Sequence, residues 1–234
     1  MPKKPHAPHV LQIRKNMKEV DRLMDIHLKI SGSGPGRKQN VQVINKSAII
    51  LLLACWEAYV EDLAENAFKH MLKTATSPKI FPDHVLALAA KQVTKLGPER
   101  IWELADVGWK ISLENHKDKI LEKYIIKGSF NTPSAQNIDR LYAELIGLTS
   151  ASKQWYWPGM SRVNTKDKLQ DLIELRGQIA HRVESSKPVY KKDIVEYKNF
   201  IGRLGAILHN RTMKFINKQT GTTPWREYTH GKTS

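Results

Sequence analysis

Apolar residues recur at every third or fourth position along most of the chain, and this spacing limits the fold to a helical one. Between Val10 and Ile30 they form one amphipathic stripe, which predicts a first helix. A longer second helix is predicted from about Asn40 to Thr74, and it is apolar almost all round between Ala48 and Leu53. Because a helix of that kind must be surrounded by other helices, the predicted fold is an all-α bundle with the second helix at its centre.

Breakers and capping residues divide the rest of the chain into shorter helices. They are predicted over Asp83 to Lys95, Pro98 to Gly108, Asn115 to Ile126, the cap Ser134 to Gly147, Asn164 or Thr165 to just before Pro188, and Asp193 to about Asn217. The same signals predict an N-terminal helix with a Gly/Ser loop over 1–39 that packs on the bundle, a helical domain over 40–217, and a basic flexible tail over 218–234. No strand-like alternation, internal repeat, phosphate-binding Gly loop or Cys/His metal spacing is present in the sequence, so we expect neither a metal nor another cofactor.

The charge balance indicates a polyanionic partner. The chain has 38 Lys and Arg against 23 Asp and Glu, a formal net charge of +15, and nucleic acid is the usual partner of such a chain. A membrane surface is less suitable, because the one long apolar run, Ala48 to Trp56, spans about half a bilayer. Cys55 is the single cysteine, which together with the absence of a secretion signal predicts a cytoplasmic protein.

The helical segment over 169–183 contains the candidate chemistry. Its apolar stripe is interrupted between Ile173 and Ile179 by Arg176. A guanidinium that points toward packed surface needs a carboxylate, backbone oxygens or an anionic ligand against it. His181 follows about 140° round the helix and about 7.5 Å along its axis, so one helix cannot direct both groups at one small target. Two copies of the helix that face each other across a dimer axis could direct an arginine and a histidine at the same target.

Gly177 follows the arginine and lies one turn before His181. Glycine costs a helix roughly 1 kcal/mol relative to alanine, so its presence needs a reason. One reason is the close approach of a partner helix or a phosphodiester, and the other is a packing contact within the chain.

The arrangement of Arg176, four residues and His181 resembles the hallmark of the HEPN superfamily, which is Arg, four to six residues, then His. The spacing alone has little weight, because this composition gives roughly one match by chance. Arg22 to His27 and Arg203 to His209 match it as well.

Two further segments separate the Arg176 match from the others. Ala54 to Asp62 and Phe130 to Ile138 resemble segments of the RiboL-PSP-HEPN type of this superfamily, in the same order. The resemblance covers roughly residues 40–200. It implies a HEPN-like bundle with additional helices, dimeric, whose paired motifs form a metal-independent endoribonuclease site of the kind found in toxins, phage defence and RNA processing.

The resemblance also implies roles for individual residues. His181 of two subunits would transfer protons, because the ordinary pKa of an imidazole is about 6.5. Arg176 of both would hold the phosphate. Glu57, Tyr59 and Glu61 of the second helix are candidates to orient Arg176 or His181, and a structural ion pair to one of the two carboxylates is the simpler role for Arg176.

Residues outside the motif are candidates for holding RNA. Arg182, Lys191 and Lys192 could guide an RNA backbone without sequence selectivity, although such residues usually form a solvated face. Trp155 and Trp157 flank Tyr156 in a turn-forming segment, where core packing competes with base stacking or a dimer contact.

Two classes of function remain open at this point. The first is a ribonuclease, with RNA, a second copy of the chain and a cognate antitoxin or regulatory protein as partners. The second is a catalytically inactive HEPN-like dimer that binds RNA or a protein. The second is favoured by Gly177, since a polar residue often follows the arginine in the superfamily, and by the basic tail. A helical adaptor that neither binds nor cleaves RNA is a third, weaker alternative.

Overall fold

The all-α fold is confirmed by a computed structural model that describes residues 4–32, 41–126, 132–182 and 187–231, with the backbone alone at 125 and 126. The predicted Gly/Ser loop after position 32 and the family-like residues Phe130 and Asn131 lie outside the described residues. Within those ranges the structure is helical, with short 3₁₀ and π segments and one isolated antiparallel bridge, between Trp157 and Met160. The helices are α1 (Pro8–Ser31), α2 (Gln42–Thr74), α3 (Asp83–Thr94), α4 (Gly108–Leu121), α5 (Ala135–Ile146), α6 (Arg162–Arg182) and α7 (Lys191–Thr220).

Helix α2 is the centre of the bundle, as its apolar pattern predicts. It packs against α1, α4, α5, α6 and α7, while α3 and α4 pack on each other and on α5. By length and composition α2 could cross a membrane, but half of its most apolar 18-residue window is buried inside the bundle. Its buried apolar side chains are therefore accounted for by contacts with the other helices.

The segment between α3 and α4 differs from the prediction of a helix over Pro98 to Gly108. A 3₁₀ helix, Pro98–Leu104, is followed by Asp106 at a positive φ of 51°, which interrupts helical hydrogen bonding. Helix α4 then begins at Gly108 instead of near Asn115. A Cβ at Gly108 would lie 1.6 Å from the Glu103 carbonyl oxygen, so this close turn requires glycine.

The boundaries of the helices around the motif follow the sequence signals more closely. Ser134 caps α5 as predicted, because its side chain accepts a hydrogen bond from the backbone N–H of Asn137, and Gly147 ends the helix in the left-handed conformation. Helix α6 begins earlier than predicted, since the hydroxyl of Ser161 accepts from the N–H of Asn164.

The C-terminal segment is packed, so the prediction of a flexible tail from residue 218 is wrong for the described part, 218–231. Helix α7 continues to Thr220. Beyond it Trp225 is only 7% exposed and lies edge-on to His9 of α1, with ring centroids 4.7 Å apart. The backbone N–H of Arg226 also donates to the carbonyl of Pro5. One large aromatic side chain and a backbone hydrogen bond thus hold a segment that looks polar in sequence against the N-terminal part of the chain.

A buried relay of hydrogen bonds joins α1, α2, α7 and this C-terminal segment. His209 Nε2 must donate to the carbonyl of Arg226, at 3.0 Å, so its Nδ1 is free to accept. His9 Nε2 therefore donates to His209 Nδ1 at 2.9 Å, and His9 Nδ1 accepts from the Asn66 amide at 3.5 Å. Both rings are neutral in this network. Burial, followed by the neighbouring His209, lowers the pKa of His9 to about 3, and burial lowers that of His209.

The relay predicts a loss of stability in acid. Unfolded histidines take up protons near pH 6.5, whereas folded His9 does so only near a pKa of about 3. The free energy of unfolding should therefore be highest above about pH 6.5 and fall as the pH decreases from there toward 3. Urea denaturation across this window should show a shallower acid slope for His209→Gln than for the wild type. His84→Gln, at an exposed histidine, is the control and should keep the wild-type slope. An unchanged slope in His209→Gln would contradict the assignment.

Candidate functional site

Arg176 lies on the core side of α6, where the interrupted apolar stripe predicts it. It is half-buried, and α6 packs against α2. Burial raises the pKa of Glu57 on α2, and the positive charge of Arg176 acts in the opposite direction, so the two groups are electrostatic neighbours. Within the part of the chain that the structure describes, the Arg176 guanidinium makes no direct ion pair or hydrogen bond. Its N–H groups are therefore available to an anionic ligand, with Glu57 compensating the charge from a distance.

Glu61 lies one turn after Glu57 on α2, and both are half-buried. Burial, together with the charges of Glu57 and Asp62, raises the pKa of Glu61 to about 7. Glu61 is thus partly protonated at neutral pH. The sequence spacing places Glu57 and Glu61 on one face of α2. It did not predict that Asp62 also lies in this environment, where burial raises the pKa of its carboxyl group.

His181 is exposed on the last turn of α6, and this distinguishes it from the histidines of the two other Arg-to-His matches. His27 is 5% exposed, and its Nδ1 is 2.7 Å from the side-chain oxygen of Asn45. His209 is 0% exposed and belongs to the buried relay. Those two imidazoles cannot reach a substrate, whereas the ring of His181 can.

Gly177 faces open space on α6. A Cβ built at this position has no atom within 4 Å, so no packing contact within the described chain requires glycine here. The position is also one turn before His181 on nearly the same side of the helix. The face that includes Gly177 and His181 is therefore open to a second helix or to a ligand.

Tyr59 does not orient Arg176 or His181, which corrects the prediction made for it. The side chain is 1% exposed, and its hydroxyl donates to the carbonyl of Gly205 on α7 at 2.9 Å. A Cβ at Gly205 would come within 3.1 Å of the Tyr59 ring, so the two residues fit each other. Tyr59 therefore fastens α2 to α7.

The two tryptophans of the 155–157 segment have different environments: Trp155 lies in the core, and Trp157 lies partly at the surface. Trp155 is 0% exposed and edge-on to Trp56, so the prediction that it binds RNA is wrong, because the ring has no free face. Trp157 is half-buried, with Phe200 against its ring and the Arg203 guanidinium 5.6 Å from the ring centroid. Only the remaining part of the Trp157 ring faces solvent, and its RNA contact stays a prediction.

The two family-like segments outside the motif contact each other in the core. Trp56 Nε1 donates to the carbonyl of Pro133 at 3.3 Å, and the Asn137 side chain donates to the carbonyl of Thr132 at 2.8 Å. These residues hold the start of α5 against α2, so they build the scaffold of the site without entering it.

Three basic residues predicted to hold RNA are exposed near the junction of α6 and α7. Arg182 ends α6, while Lys191 and Lys192 begin α7. Lys192 Nζ lies 5.8 Å from the centroid of the Tyr190 ring. All three can approach a polyanion, and their contact with RNA stays a prediction.

A groove between α5 and α6 was not found by sequence reasoning. Its volume is about 530 Å³, and its charged lining includes Arg140 of α5 and Lys166 of α6. The lining comes from α5, α6 and the turn at Thr149 and Ser150, and nothing in the sequence indicates that these segments meet, so the folded structure was needed to see it. As for metals, no group of three or more His, Cys, Asp or Glu side chains among the described residues could hold an ion.

The α2-centred bundle and the Arg176 to His181 motif define an all-α protein of the HEPN class. The chain belongs to the RiboL-PSP-HEPN family, whose model matches residues 11–214. The match includes most of α1, which lies outside the range of about 40–200 that the resemblance covers. It indicates a ribonuclease-like or nucleotide-related function. No curated protein and no solved structure matched the chain in the same comparisons.

The open space at Gly177 predicts that alanine stabilises this position. The methyl group of Gly177→Ala meets no neighbour, and alanine favours a helix more than glycine does, so the free energy of unfolding should rise by about 0.5–1 kcal/mol. Gly205→Ala is the matched control, and it should lower stability because its Cβ crowds the Tyr59 ring. Urea denaturation measures both. A destabilised Gly177→Ala variant would show that a contact within the chain holds this position.

Proposed function

We propose that this protein is a metal-independent endoribonuclease whose active site forms between two copies of α6. The observation that carries the proposal is the environment of the motif. His181 is exposed, unlike the buried histidines of the other two matches, and Arg176 keeps its guanidinium available beside Glu57. Membership of the RiboL-PSP-HEPN family supports the same conclusion.

A second subunit is part of the proposal because one α6 cannot assemble the site. Arg176 and His181 lie about 140° apart around the helix, so a single copy directs them to different sides. A twofold axis beside the open face at Gly177 would bring two imidazoles and two guanidinium groups around one phosphate.

The proposed reaction uses the 2′-hydroxyl of RNA as the nucleophile. One His181 accepts the 2′-hydroxyl proton as the oxygen attacks the adjacent phosphorus, and the other donates a proton to the departing 5′-oxygen. The bond between phosphorus and the 5′-oxygen breaks, which leaves a 2′,3′-cyclic phosphate and a 5′-hydroxyl. The two Arg176 side chains stabilise the charge that builds up on the phosphorane oxygens. Glu57 positions Arg176 through its charge.

The direct test is RNA cleavage in the presence of EDTA. Wild-type protein should yield fragments with 5′-hydroxyl ends from labelled RNA, and His181→Ala should lower the rate by about 100-fold or more, because general acid–base catalysis is lost. His84→Ala, at another exposed histidine, should cleave at the wild-type rate.

Two outcomes would contradict the proposal. One is full activity in purified His181→Ala, and the other is an absence of cleavage by the wild type over a broad RNA panel. In the second case retained RNA binding would favour the catalytically inactive dimer.

The shared site predicts that blocking the open face of α6 also blocks cleavage. Gly177→Trp should lower both the mass measured by light scattering, from dimer to monomer, and the cleavage rate. Lys15→Trp, at an exposed position of α1, is the control and should leave both unchanged. A fully dimeric and active Gly177→Trp variant would place the interface elsewhere.

A toxin or phage-defence role in the cytoplasm extends the proposal and is supported by the resemblance. Expression of the wild type in a bacterial host should then slow growth, whereas His181→Ala should not. Equal growth in both cultures would argue against this role, even if the purified protein cleaves RNA.

A further inference from the structure

The groove between α5 and α6 lies on the same side of α6 as His181. Lys166 and Gln170 line it from the first half of the helix. On a helical wheel positions 166, 170, 177 and 181 fall within about 60° of one another, and 181 lies about 16 Å beyond 170 along the axis. One stripe of α6 therefore runs from the groove to the proposed active site.

The charged groups of the groove suit a phosphodiester. Arg140, which is exposed, and Lys166, which is half-buried, approach it from α5 and α6. Neither side chain has a hydrogen bond or ion pair with another described residue, so both can bind a phosphate oxygen. Arg211 lies at the edge, with its Nη2 3.5 Å from the carbonyl of Thr149, which belongs to the lining.

The remaining polar groups suit the parts of RNA that donate hydrogen bonds. Two carboxylates line the groove. Asp139 is occupied, because its oxygens accept from the backbone N–H and the hydroxyl of Ser152 at 2.7 and 2.8 Å. Asp167 is exposed and can accept from a 2′-hydroxyl or a base amine, and Gln136 adds an amide. A site with cations next to free hydrogen-bond acceptors matches a ribonucleotide, which has both a phosphate and hydrogen-bond donors. It matches a simple anion, which has no donors, less well.

We propose that the groove between α5 and α6 binds the RNA strand several nucleotides away from the cleaved phosphate, with Arg140 and Lys166 holding its backbone. This inference rests on the proposed function for the place of cleavage, but the binding itself does not depend on catalysis. The groove has the volume of an ordinary ligand site and is open to solvent. Positions 166, 170, 177 and 181 place the groove and His181 on one side of α6, so a single strand can reach both.

The test measures binding in a chain that cannot cleave. In the His181→Ala background, Arg140→Ala with Lys166→Ala should weaken binding of a fluorescent single-stranded oligoribonucleotide about tenfold in anisotropy titrations. The slope of log affinity against log salt should become shallower by about 1.4, since two phosphate contacts are lost. The matched control is Lys15→Ala with Lys18→Ala, an equal charge change at exposed positions of α1, and it should have little effect.

Several results would overturn the groove proposal. They are an unchanged affinity in the groove variant, an equal loss in the α1 control, and an equal loss for DNA of the same sequence. Circular dichroism and thermal melting confirm that both variants are folded.

If the wild type fails to cleave any RNA but the groove variant still loses RNA binding, the nuclease proposal fails while the groove proposal stands. If the wild type cleaves RNA and the groove substitutions change neither cleavage nor binding, the groove proposal fails while the nuclease proposal stands.

Discussion

The packing of the other helices around α2 is the constraint on which the rest of the structure depends. Five other helices pack around it and remove its buried apolar side chains from water. This central helix also includes Glu57 and Glu61, which are half-buried, and burial raises the pKa of each carboxyl group. The bundle therefore places weakly solvated carboxylates beside the helix that contains the motif.

Those carboxylates explain how a guanidinium can be kept on the core side of α6. A half-buried cation is costly unless negative charge is close, and a direct ion pair would occupy its N–H groups. Arg176 instead interacts electrostatically with Glu57 without a hydrogen bond between the two side chains. The arrangement stabilises the cation and leaves its donors free, which is what binding of an external phosphate requires.

Sequence patterns predicted those parts of the molecule that depend on local spacing. The position of α2, the Ser134 cap and the core-side place of Arg176 all follow from helical periodicity and capping chemistry. Features that depend on contacts between distant segments could not be predicted this way. Trp155 looked like a loop aromatic but fills the core, and Trp225 orders a segment that reads as a tail. The groove lined by Arg140 likewise needed the fold.

The hydrogen bond between His9 and His209 joins positions 200 residues apart, and this has a consequence for the order in which the chain is assembled during translation. Ribosomes release the chain from its N-terminus, so α1 emerges first but finds its buried polar partners only after α7 and Arg226 have been made. Closing so long a loop is entropically costly and slow. The motif helix is thus synthesised well before the two ends of the domain can be fastened together.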